Sequence, residues 1–165
     1  MEPTIHQHPA GHPVGTEVCV LLREVFVGEG FTRATDAFEG ATLSDRGTRW
    51  VATEDSGRVV GIVFLVDGAS PFRQIATEGE SEIHLLAVAP SHRRSGIADT
   101  LMQACLREVR DSGASRVVLS SQVTMRAAHA LYVKHGFHRI PQRDWGRGDG
   151  RRYLAFGLEL REPIE

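Results

Sequence analysis

The stretch from Glu82 to Gly113 constrains this chain most. A dense apolar run, Glu82 to Ala89, halts at Pro90; Ser91, His92, Arg93, Arg94, Ser95 and Gly96 follow; then Ile97, Leu101, Cys105 and Val109 recur four apart until Gly113. The run predicts a central strand, and the four-residue period predicts a helix with one buried stripe and a glycine stop. The first turn of such a helix leaves amide N–H groups without internal partners, and the macrodipole adds partial positive charge there. Gly96 lets the backbone approach an anion closely, Ala98 keeps the turn free of bulk, and Arg93 and Arg94 supply charge. The loop is suited to a diphosphate. Neither Gly-x-x-x-x-Gly-Lys-Ser/Thr nor Gly-x-Gly-x-x-Gly occurs, which disfavours nucleoside-triphosphate and dinucleotide sites.

The elements around this unit read as mixed α+β. Residues 1–15 carry Pro9, Gly11, Pro13 and Gly15 with His6, His8 and His12 and no apolar period, so they read as a flexible N-terminal tail. The histidines lack a surrounding shell, and no metal site is expected. Residues 16–165 read as a single domain, since 165 residues with 41% apolar content support one core. Thr16 is a plausible N-cap for a helix bearing Val18, Leu21, Leu22, Val25 and Phe26, ended by Gly28 and Gly30. A weaker helix spans residues 32–45. Arg49 to Thr53 and Val59 to Val66 predict a hairpin around Asp55-Ser56-Gly57. Arg116 to Ser120, Phe137 to Ile140 and Tyr153 to Leu160 read as strands, and Thr124 to His135 as a helix stopped by Gly136.

A formal net charge of −2 removes the basic field that nucleic-acid binding needs. Cys19 and Cys105 lack disulfide or zinc spacing and read as reduced core thiols. No apolar run approaches about 18 residues, so no membrane partner is expected and a cytoplasmic location follows by default.

Three elements in order resemble one family. Arg93-x-x-Gly96-x-Ala98 fits the Arg/Gln-x-x-Gly-x-Gly/Ala diphosphate loop of the GNAT N-acetyltransferase superfamily; Glu82 to Pro90 resembles its fourth strand; and Ala128-x-x-Leu131-Tyr132-x-x-x-Gly136-Phe137 resembles its second motif. The resemblance covers residues 81–140 closely. It implies the GNAT fold, a mixed and mostly antiparallel sheet flanked by helices with splayed fourth and fifth strands, and it implies acetyl-CoA as cosubstrate. Two positions depart from the pattern: Arg94 stands where the family often has glycine, and Met125 where many members place asparagine.

The resemblance further implies that Leu86, Ala87 and Val88 contact the cosubstrate, with Val88 N–H donating to the thioester carbonyl, while Arg93, Arg94, Ser95, Gly96, Ile97 and Ala98 hold the diphosphate. Tyr132 matches the general acid for the leaving sulfur; without the other motifs it reads rather as a packed aromatic before Gly136-Phe137. Glu82 matches the catalytic glutamate of histone-type members and is the first candidate for the base that deprotonates an amine of pKa near 10.4, with His84 second. Strict alternation would put Glu82, His84, Leu86 and Val88 on one face; the alternative for Glu82 is a solvated strand start. Asp36, Glu39, Glu78 and Glu80 either attract a cationic amine or form a solvated face. Residues 142–152, with Trp145, form a mobile flap or a plain hairpin connection. The expected acceptor is a small-molecule primary amine, because no peptide-recruiting extension is visible. A protein lysine or N-terminus, or a non-catalytic CoA-binding regulatory module, are the alternatives, and the family allows a homodimer.

Overall fold

The computed structural model describes residues 2–32 and 43–160, and within these the chain divides into two compact units. The first comprises the chain up to Leu65 together with Leu85–Leu106; the second comprises Val66–His84 and the chain from Arg107 onward.

In the first unit, strands β1 (Thr4–His8), β2 (Thr48–Thr53) and β3 (Val59–Asp67, up to Leu65) pair antiparallel in that order. The hairpin read around Asp55-Ser56-Gly57 is present, with Gly57 at φ 86°. Residues read as a tail contain β1, paired with β2 from Thr4 opposite Thr53 to His8 opposite Arg49. Edge pairing supplies what the missing apolar period concealed: backbone hydrogen bonds hold a strand whose side chains stay mostly exposed. Just beyond β1, the fully buried Arg49 guanidinium donates to the His12 and Pro13 carbonyls, both at 2.8 Å.

Helix α1 (Thr16–Leu22) runs into a π-helical turn, Arg23–Val27, and buries Val18, Leu21, Leu22, Val25 and Phe26 as its spacing predicts. Gly15, not Thr16, is its N-cap, and no side chain caps it. Most of the helix read over 32–45 lies outside the described residues, and with it Asp36 and Glu39.

Helix α2 (Ile97–Ser112) begins against β3. A Cβ placed on Gly61 would stand 2.8 Å from Ile97 Cγ2 and 3.0 Å from Leu101 Cδ1. The absence of a side chain at Gly61 is therefore what lets the start of α2 lie this close to the strand.

In the second unit, the first half of β4 (Glu80–Val88) pairs parallel with β5 (Arg116–Gln122), the one parallel pair among those described. β5 pairs antiparallel with β8 (Arg152–Glu159) along its whole length, and β8 also carries the short strands β6 (His138–Arg139) and β7 (Trp145–Gly146). Eight strands, mostly antiparallel, thus form the sheet, with β4 contributing to both units. Helix α3 (Arg126–Lys134) follows β5. Ala76, Val118, Ile140 and Ala155 form a buried cluster, with Ile75 packed against it.

The segment read as flap or hairpin is a hairpin. β7 pairs β8, Trp145 stacks on Tyr153 with centroids 4.2 Å apart, and Trp145 Nε1 donates to Ser120 Oγ at 2.9 Å.

Candidate active site

Strand β4 carries the decisive irregularity. Its ladder with β5 runs from Glu80 opposite Arg116 to Ile83 opposite Leu119 and stops, although β5 continues to Gln122. The fourth and fifth strands thus share a ladder over only four residue pairs. Leu85, two residues on, has φ 53°, a left-handed value that costs a non-glycine residue about 1–3 kcal/mol. The kink resets the side-chain alternation, so the one-face reading of Glu82, His84, Leu86 and Val88 holds from Glu82 to His84 and is interrupted at Leu85. Ala89 N–H then donates to Val60 O at 2.8 Å. Successive N–H groups of an extended strand point to opposite edges, so Val88 N–H is directed away from β3.

The loop after β4 is a short 3-10 turn, Pro90–His92, followed by Arg94 at φ 63° and Gly96 at φ 84°. A Cβ on Gly96 would meet nothing within 4 Å, so the glycine is needed for its backbone conformation and leaves open space above the loop. Ser95 Oγ donates to His92 O, which fastens the turn. Thr100 N–H is bonded to Gly96 O at 3.0 Å; the amides of Ile97 and Ala98 precede that first helical bond and have no intrahelical acceptor. Ile97 is buried, while Arg93, Arg94, Ser95 and Gly96 are exposed. A diphosphate fits this set: main-chain donors, two guanidinium groups and no Cβ in the way. Arg93 is already held by Glu29 through both guanidinium nitrogens, which raises its pKa further, so an incoming phosphate shares this cation with a carboxylate.

Glu82 is fully buried, at 0% exposure, which removes the solvated reading. Its Oε1 accepts the N–H groups of Ile75 at 2.8 Å and Ala76 at 2.7 Å, and its Oε2 accepts that of Gln74 at 2.9 Å and a bond from His84 Nε2. Burial alone pushes its pKa up; the His84 ring and the loop amides outweigh that and hold it below the ordinary carboxylate range. Glu80 is buried as well and bound by Arg143 at 2.6 Å, Arg116 at 3.6 Å and Thr77 N–H at 2.9 Å. It is neither a free amine attractor nor a solvated face. Glu78 is exposed.

Tyr132, on α3, is 7% exposed, with its ring 5.6 Å from that of Phe156 and 6.0 Å from that of Phe137. Burial pushes its phenol up to about 12 against a hydrogen bond with Ser121, so the hydroxyl keeps its proton throughout the neutral range. Met125, the departure from the family pattern, is the residue just before α3 and lies with its sulfur 3.7 Å from Ser121 Oγ.

The sequence profile described as the Acetyltransferase (GNAT) family matches residues 16–137. The chain belongs to the GNAT acetyltransferase family. Among curated proteins it is 35% identical over 103 residues to N-acetyltransferase 8F1 of Rattus norvegicus, covering 61% of this chain and 44% of that one. It is 36% identical over 100 residues to N-acetyltransferase 8 of Homo sapiens, covering 61% and 43%. The matches thus span less than half the length of these relatives. Among solved structures, a GNAT-family acetyltransferase from Staphylococcus aureus matches with a TM-score of 0.71 at 15% identity, covering 96% and 100% of the two chains. The ribosomal-protein-S18-alanine N-acetyltransferase of Escherichia coli gives 0.66 at 15%, covering 98% and 97%; the NatC complex bound to Gag peptide and CoA gives 0.70 at 15%, covering 98% and 100%. These structural likenesses show the fold. The family to which the chain belongs uses acetyl-CoA and acts on amine acceptors. No helix among the described residues is long and apolar enough to cross a membrane.

Three parts of the site carry no motif signal: the amides of Gln74–Ala76, the Glu29 partner of Arg93, and Ser121 beside Tyr132. The first was detectable in principle. Glu80 and Glu82 stand two apart at the start of an apolar run, and carboxylates drawn into a buried strand need donors close by.

Proposed function

We propose that this protein transfers the acetyl group of acetyl-CoA to a primary amine of a small molecule by direct attack. What supports the reading is the Ala89 to Val60 bond: Val88 N–H, one residue earlier, points away from β3, and in this reading it donates to the thioester carbonyl, a donor worth about 3 kcal/mol to a developing oxyanion. The amides of Ile97 and Ala98, with Arg93, Arg94, Ser95 and Gly96, hold the diphosphate in this reading, and Leu86 and Ala87 line the cosubstrate's path along β4.

The acceptor arrives as an ammonium and gives up a proton to the Glu82–His84 pair. Its lone pair then bonds to the carbonyl carbon, the nitrogen loses its second proton to solvent, the C–S bond breaks, and Tyr132 donates to the departing sulfur. A phenol near pKa 12 is a weaker acid than a thiol near 8.5, so Tyr132 acts by donating a hydrogen bond to the sulfur as its negative charge develops, and the thiolate takes its proton from solvent after it leaves.

The test is thiol release from acetyl-CoA over a panel containing butylamine, 1,4-diaminobutane, free amino acids, a lysine peptide and a peptide with a free N-terminus. Turnover confined to the small amines supports the reading. Acetylated peptide in a mass spectrum with inert small amines would transfer it to a protein acceptor, and tight coenzyme A binding without turnover on any amine would leave a binding module.

A further inference from the structure

The two arginines of the loop after β4 are not equivalent. Among the described residues Arg94 has no carboxylate partner, whereas Arg93 meets Glu29 with both terminal nitrogens, Nη1 on Oε1 and Nη2 on Oε2, the second at 2.9 Å. This forked, two-bond geometry is the one by which a guanidinium takes either a carboxylate or a phosphate, and the same two nitrogens cannot serve both at once. The contact is open to solvent, with side-chain exposure of 43% for Arg93 and 29% for Glu29, so a dissolved anion can reach it.

Glu29 is presented to the loop by a fixed backbone. It stands in the turn after α1 and its π-helical extension, where Gly28 N–H donates to Arg23 O at 3.0 Å, Gly30 N–H to Val27 O at 3.0 Å and Phe31 N–H to Phe26 O at 2.8 Å. Gly28 packs so tightly there that a Cβ would stand 2.4 Å from Glu24 O. Glu24 itself adds a second negative charge to the surroundings of Arg93, through space and with no hydrogen bond to it. On the other side of Arg93, His92 Nε2 meets Oε1 of Glu54, in the turn joining β2 and β3, at 2.6 Å. Carboxylates from two elements thus engage this loop, and of its two guanidinium groups Arg94 alone is offered to an incoming anion unshared.

We infer that Glu29 is an internal competitor for the diphosphate: it holds the Arg93 fork, and coenzyme A binds by drawing that fork onto phosphate oxygens and freeing Glu29. The inference rests on the diphosphate reading of the loop and adds a control on its affinity. A diphosphate wins the exchange because it brings more negative charge than one carboxylate and gains the Ile97 and Ala98 amides beside the fork. Glu29 sets a threshold that this ligand must exceed. Exposed ion pairs are worth up to roughly fivefold in an equilibrium constant, which bounds the size of the effect.

Two measurements test the exchange. The first is calorimetric titration of coenzyme A into wild type, Glu29→Gln and Glu24→Gln at ionic strengths of about 0.02 M and about 0.3 M. E29Q is expected to bind about two- to fivefold more tightly at the lower ionic strength, with a smaller gain at the higher one. E24Q removes the same charge without touching the fork and should gain less than about 1.5-fold. Unchanged or weaker binding by E29Q would make Glu29 neutral or a positioning group for Arg93 and overturn the competition; an equal gain in E24Q would reduce it to a diffuse field and overturn it too. If E29Q does not fold, Glu29→Ala replaces it with the same expectations. The second measurement is a crystal structure of wild type with coenzyme A. Arg93 Nη1 and Nη2 on phosphate oxygens with Glu29 beyond hydrogen-bond distance support the exchange, and a fork still on Glu29 overturns it. Should wild type not bind coenzyme A, the acetyl-CoA reading fails by itself; the same comparison with inorganic diphosphate then decides the competition, and binding of neither overturns it.

Discussion

Gly61→Ala tests how the sheet places the cofactor loop. The added methyl would stand 2.8 Å from Ile97 Cγ2, 3.0 Å from Leu101 Cδ1 and 3.4 Å from Ala52 Cβ, in a strand where Val60 and Ile62 on either side are fully buried. Two of these contacts are tighter than packed carbons sustain, and both belong to the first turns of α2, which must move away. Overpacking of this kind costs about 1–3 kcal/mol. Alanine regains about 0.5–1 kcal/mol by restricting the unfolded chain. The net destabilisation is then about 0–2.5 kcal/mol and centres near 1 kcal/mol, a fall in Tm of roughly 2–4 °C for a chain of this size. Ile97 directly follows Gly96, so the same displacement shifts the loop amides, and coenzyme A binding should weaken by about threefold or more for each roughly 0.7 kcal/mol of lost contact. Scanning calorimetry and titration with coenzyme A read both, with Gly148→Ala as control, since a Cβ there meets nothing within 4 Å. A Tm within about 1 °C of wild type would refute the reasoning, because it would mean that α2 has slack against β3.

Tyr132→Phe should lower kcat by about 100-fold while changing coenzyme A affinity less than about twofold, in stopped-flow and titration measurements; equal losses would make the tyrosine a packing residue. Arg94→Gly should leave Tm within about 2 °C, because relief of the left-handed strain offsets the entropy of the new glycine, yet weaken coenzyme A binding with a loss that shrinks in high salt. Unchanged affinity would remove Arg94 from the cradle. Asp144 is held below the usual carboxylate range by its hydrogen bonds from Arg139, and burial opposes this while Ala155 N–H reinforces it. A depressed folded-state pKa stabilises above the unfolded value near 3.9 and loses that contribution as pH falls through the folded one. Urea midpoints of wild type and Asp144→Asn should therefore differ at pH 7 and converge near pH 2; a gap that persists in acid would assign Asp144 a purely steric role.

Sequence alone determined the elements whose signal is local. The four-residue period of α2, the apolar run stopped by Pro90 and the Arg93-to-Ala98 loop sit within a few residues of where the chain forms them, because each depends on neighbours along the chain. The order of the longer strands and helices followed from the same signals. Tertiary structure decided what depends on distant partners. β1 exists because β2 offers it an edge, which no period in Thr4–His8 announces. The left-handed turn at Leu85 interrupts an alternation that the letters Glu82 to Val88 present as regular, since strain of that kind is set by the ladders on either side. Glu82 itself reads as a base or a solvated end, and only the fold brings Gln74–Ala76 and His84 onto its two oxygens. A carboxylate's role is fixed by who donates to it, and donors six to eight residues away meet it only after the chain has folded.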